Sequence, residues 1–161
     1  MSYSSKRTIV SMVVGVILTF AYVVYSLGDA SPEPGDLKSW ALALLVFIGI
    51  SVATIIIVQI VFHIAFAVGI SIREKEHDDK NVERIINSSM LEDERDKLIG
   101  LKSAHVGYGF AGAGFMACLI ALAIGVSAVA VLHIMAGSFA AGSLIEGGIA
   151  VYLHERGVRN G

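Results

Sequence analysis

The chain has 161 residues with a formal net charge of −2, and 55% of its residues are hydrophobic against 16% charged. Soluble domains carry about 25% charged residues, and here the charges collect in four short zones separated by long uncharged stretches. That distribution excludes an ordinary soluble domain. No basic, aromatic-rich face appears, so nucleic acid is not an expected partner, and a single cysteine, Cys118, excludes an intrachain disulfide.

The first uncharged run, Thr8 to Gly28, is 21 residues long and follows Lys6-Arg7. A spanning helix needs about 20 apolar residues, whereas the apolar core of a signal peptide has about 7–15. The run therefore reads as a retained span over 8–28. Ser31-Pro32-Glu33-Pro34-Gly35 holds both prolines and marks a turn, after which Asp36 is placed to N-cap the next helix.

The second run, Ser39 to Ile72, has 34 residues, or about 51 Å of helix against a hydrocarbon core of about 30 Å. The span at 39–70 must tilt, bend at Gly49 or Gly69, or project beyond the bilayer; projection is the preferred reading. The connector 73–102 follows. Within it Val82, Ile85, Ile86 and Met90 recur at helical spacing, so 79–90 reads as an amphipathic helix. The connector is a candidate contact for a partner protein on the cytoplasmic side, or else a solvated linker between two hairpins.

The last long run, Ser103 to Ile145, suits two spans with a turn at Gly125-Val126-Ser127, giving helices over 104–124 and 128–153. The fold class is thus all-α: a polytopic membrane protein with four transmembrane helices in two hairpins, forming one domain over 1–161. Of twelve lysines and arginines, only Lys38 falls on the side of the two short turns. The crowded side is then cytoplasmic, with both termini inside. Tyr22, Tyr25 and Trp40 fall near the outer interface, and Tyr108 and Tyr152 near the inner one.

Glu92-Asp93-Glu94-Arg95-Asp96-Lys97-Leu98-Ile99, followed by Lys102-Ser103, resembles the "DER…I..KA" lead-in of small uncharacterised prokaryotic membrane proteins, in which two helices precede the motif and two follow. The tail His154-Glu155-Arg156-Gly157 has fewer arginines than their endings. The resemblance implies a bacterial or archaeal inner membrane and carries no activity with it.

Small residues form stripes in the last two spans: Ala104, Gly107, Ala111, Gly114, Cys118, Ala121 and Gly125 in the third, Ala136, Ala140, Ser143, Gly147 and Ala150 in the fourth. Such stripes let membrane helices approach closely, so the third and fourth spans are expected to pack against each other. A second set, Gly109 and Gly112 with Gly142 and Gly148, leaves room for a homo-oligomer.

Glu146 is the one carboxylate inside a span, about 15 Å from the level of Arg156. A charge there costs on the order of 3 kcal/mol and belongs in the bundle interior. His63 lies at a similar depth before Arg73, with Gln59 four residues earlier on the same face. Glu146, His63 and Gln59 therefore form a candidate intramembrane polar site, or a hydrogen-bonded set that fixes helix register. His105 and His154 lie near the inner interface, and His133 near the outer end is expected to reach water. His77-Asp78-Asp79 is a weak metal signal. A bis-histidine haem needs two histidines at matched depth, and His63 with His105 misses by several residues, so no cofactor is assigned. Cys118 has no activating base and reads as a packing residue. No Walker loop, zinc spacing or triad occurs. The first expectation is a non-enzymatic interaction or regulatory protein of the membrane; the alternative is a small transporter or channel subunit. A site at Glu146 requires access to water, whereas a structural pair requires a sealed one.

Overall fold

The structure, a computed structural model, describes residues 3–73 and 94–156. The connector's central part, with the expected helix 79–90 and His77-Asp78-Asp79, lies outside the described residues. Within them the chain forms four helices: α1 (Tyr3–Leu27), α2 (Leu37–Arg73), α3 (Glu94–Ala123) and α4 (Ala128–Arg156). All four are long and apolar enough to cross a membrane. The protein is an all-α, multi-pass membrane bundle.

The boundaries follow from local chemistry. α1 begins five residues before the uncharged run, because nothing at Tyr3 to Arg7 interrupts a helix, and Lys6 lies over the Phe66 ring of α2, 5.8 Å from its centroid. Asp36 caps α2: its Oδ1 accepts the Ser39 N–H at 3.1 Å, satisfying a backbone donor that the first helical turn leaves open. α2 then runs for 37 residues without breaking at Gly49 or Gly69. α3 starts at Glu94, not at Ser103, so the end of the expected connector belongs to the helix. Glu94 and Asp96 in its first turn suit the positive end of the helix dipole.

Between α3 and α4 the chain reverses in four residues. Gly125 adopts φ +82°, and the N–H groups of Gly125 and Val126 donate to the Leu122 and Ala121 carbonyls at 3.1 and 2.9 Å. This closure of a helix end needs a left-handed residue, which glycine supplies without strain. Ser127 then caps α4 by accepting the Ala130 N–H on its Oγ at 3.3 Å.

α4 is the hub. It packs most extensively on α3, next on α1, and touches α2 mainly near the turns; α1 also packs on α2, whereas α2 and α3 make little contact with each other. The outer surface is apolar: Ile17 and Phe20 of α1, Ile57 and Val61 of α2, and Phe115 and Ile120 of α3 are all exposed, which suits a lipid solvent and would be a liability in water. At the turn end an aromatic cluster closes the bundle. Tyr22 and Tyr25 each pack on Phe47 with centroids 5.2 Å apart, and Trp40 meets His133 edge-on at 4.7 Å while donating its indole N–H to the Glu33 carbonyl at 3.0 Å. His133 is therefore half-buried against Trp40, where sequence reasoning had it reaching water, because α2 leans onto α4 at this level.

Candidate functional site: a polar cleft around Glu146

Close packing on α3 uses small residues. Gly107, Gly114, Cys118 and Ala121 are buried and Ala111 is half-buried. A methyl group on Gly114 would overlap Ser138 of α4, and Cys118 points its Sγ at the Val131 carbonyl, 3.6 Å away.

On α4 the small residues divide between two faces. The face toward α3 carries Ser138 and Gly142: a methyl on Gly142 would lie 3.0 Å from the Gly107 carbonyl oxygen. Of the stripe singled out in the sequence, Gly147 faces α1 instead. Gly147 is buried beneath Met12 of α1, where a methyl would fall 2.6 Å from Met12 Cγ; Ser143 lines a cavity, and Ala140 is half-buried. The pattern was periodic on both sides of α4, so periodicity alone could not say which side met α3. Gly109 and Gly112 face open space, and Gly142, grouped with them in the sequence, does not.

Between α1 and α3, against α4, the bundle holds a cavity of about 800 Å³. Its walls come from all four helices: Arg7, Thr8 and Ser11 of α1, Ile55 of α2, Lys97 and Ser103 of α3, and Glu146 and Gly147 of α4. At its basic end stand Ser4, Asp96 and His154. Volume and mixed lining are those of a small-molecule site.

Most polar groups around the cleft already have partners. Asp96 receives the Ser4 hydroxyl at 2.8 Å and faces His154 Nδ1 at 3.2 Å. Arg95 donates to the His154 carbonyl at 3.2 Å, satisfying an acceptor at the open end of α4. Lys97 pairs with Glu94 at 3.1 Å. The segment Glu94 to Ile99 thus has a structural account: it braces α1, α3 and α4 at the basic end, with Ile99 fully buried. Hydroxyls deeper in the cleft bond their own helices, Thr8 to the Ser4 carbonyl at 2.9 Å, Ser11 to that of Arg7 at 3.1 Å and Ser103 to that of Ile99 at 2.9 Å. Arg7 is engaged as well.

Glu146 differs. It is half-buried and lines the cleft, and its carboxylate lies across Gly107: a methyl there would sit 2.7 Å from Oε2. Gly107 leaves the room that the carboxylate occupies. No side-chain hydrogen bond or ion pair involves Glu146 among the described residues. The expected contact with α2 is not formed. Gln59 donates to Ser11 Oγ at 3.0 Å, and His63 shares a hydrogen bond with the Tyr3 hydroxyl at 3.0 Å on the exposed side of α2. Both α2 residues are held by α1, which stands between α2 and α4 at this depth. Gln59 still reaches the cleft wall through Ser11, whereas His63 belongs to an aromatic contact with Tyr3 and lies apart from Glu146.

Sequence reasoning missed Arg7, Thr8, Ser11 and the Asp96–His154 brace. Serine and threonine are common in membrane helices, so only the alignment of α1 against α4, which a sequence does not display, gathers them. Fold and cleft together define a four-helix membrane bundle with an internal polar cavity. Comparison with protein-family profiles, with characterised proteins and with solved structures found no match.

Proposed function

We propose that this protein is a non-enzymatic membrane protein that binds a small molecule in the Glu146 cleft, as a small transporter or channel subunit does. The observation that carries this reading is Glu146 itself, a carboxylate at membrane depth that lines an 800 Å³ cavity with no side-chain partner among the described residues. A register-fixing residue would be sealed and hydrogen-bonded, since an unpaired buried polar group costs about 1–3 kcal/mol or more. The interaction-protein reading through the connector draws no comparable support from the described residues. The split of lysines and arginines supports placing the basic end of the cleft in the cytoplasm, with the short turns outside.

A binding residue is kept at some cost to the fold, whereas a structural one stabilises it. Thermal unfolding of purified Glu146→Gln and Glu146→Leu in detergent is the test. Both are expected to match or exceed the parent midpoint. Loss of the folded state in both variants would make Glu146 a structural residue and remove the reading.

A further inference from the structure

Resting on that reading, we propose that the cleft takes a hydrophobic organic cation, with its charged centre on the Glu146 carboxylate and its apolar body between α1 and α3. Among the described residues, every charged group of the cavity wall but one has a partner. Asp96 is matched by His154 and Ser4, and Lys97 by Glu94. Arg7 is not a free cation. What remains unmatched among the described charges of the wall is one negative group, Glu146, held where lipid and protein lower the dielectric and strengthen attraction to a cation.

Position supports the same class. Gly147 sits under Met12, and α1 and α4 run antiparallel, so Glu146 lies level with Met12 and Val13. Arg7 stands five or six residues nearer the basic end, about 8–9 Å away along the axis. A ligand's cation can therefore reach Glu146 without lying beside the guanidinium.

The chemistry of the wall argues against an inorganic ion. No group of three or more His, Cys, Asp or Glu side chains converges among the described residues, and hard cations require six or more oxygen ligands. The nearby hydroxyls spend their protons on backbone carbonyls. Ile55, Met12, Leu144 and Ala150 supply apolar surface in the same cavity, which a bare ion would not use. The little contact between α1 and α3 leaves a lateral way in from lipid, where an amphiphilic cation concentrates.

Saturable binding of tetraphenylphosphonium and of its isosteric anion tetraphenylborate to the full chain in detergent micelles, each corrected for protein-free micelles, tests this. The cation is expected to bind saturably, to bind at least tenfold more weakly to Glu146→Gln, and to recover with Glu146→Asp. Equal cation binding to parent and Glu146→Gln would overturn the proposal, since the apolar wall alone would then suffice. A preference for tetraphenylborate would overturn it in favour of an anion site at Arg7. If neither ion binds saturably while Glu146→Leu stays folded, the cation proposal fails and the cleft reading survives.

Discussion

The α3–α4 seam and the α1–α3 gap are built on the same helix α3 and differ in every respect that packing depends on. At the seam, side chains are nearly absent: Gly114 receives Ser138, and Gly107 with Gly142 lets backbone approach backbone. A four-residue turn closed by Gly125 holds the two helices together. At the gap no short turn joins the helices, and hydroxyls, a guanidinium and two carboxylates, Asp96 and Glu146, line the space. In a bilayer, helix association depends on dispersion contacts and interhelical hydrogen bonds, because lipid tails remove the usual hydrophobic drive. The seam maximises the first. The gap has little of either beyond the Ser4–Asp96 hydrogen bond, and its unclosed space is where the proposed ligand fits.

Breaking the seam should have the largest effect. Gly114→Leu forces Ser138 aside, and since backbone stands close behind, we expect a loss at or above the 1–3 kcal/mol typical of overpacking. Ile120→Leu, 59% exposed on the same helix, should change stability by less than about 0.5 kcal/mol. Unfolding midpoints in detergent compare them; equal midpoints would mean that the stripe does not form the seam. Gly107→Ala tests where seam and cleft meet. Its methyl group meets the movable carboxylate of Glu146, so the stability loss should stay near 1 kcal/mol, while ligand binding falls more sharply as the carboxylate is displaced.

The smallest effect belongs to the turn end. Ser39, through its hydroxyl and then its backbone N–H, holds the Asp36 carboxyl below its usual range. The folded value lies under the unfolded one, so the stabilisation is present above about pH 4 and fades as pH falls through the folded value. Asp36→Ala should lower the midpoint slightly at neutral pH and not at strongly acidic pH, as read by thermal scans at both. A pH-independent difference would show that the charge plays no part in the cap.

Four spans, both short turns and the Asp36 cap were legible in the sequence because each rests on local chemistry: uncharged length, proline, glycine, and a carboxylate before a helix. The closeness of α3 and α4 was legible as well, since a tight turn leaves them no choice. The face that α4 gives to α3 was not. Ala136, Ala140, Ser143, Gly147 and Ala150 are small and in phase, but Ser138 and Gly142 compose the seam. Glu146 stood out because a lone intramembrane carboxylate is costly, yet its neighbours did not. Depth counted from Arg73 and Arg156 matched it with His63, and depth says nothing of azimuth. α1 stands between them, taking Gln59 on Ser11 and His63 on Tyr3.

In the proposed reading Glu146 stands in a water-accessible cleft, on the open side of α4. With Cys118→Ser as background, the labelling rate of Glu146→Cys by a charged methanethiosulfonate measures that directly. Phe115→Cys serves for comparison, because Phe115 is 60% exposed on the lipid face of α3. The reagent attacks thiolates, which form in water and not in hydrocarbon. The account predicts labelling at position 146 at least tenfold faster than at position 115, and equally slow labelling at both would contradict it.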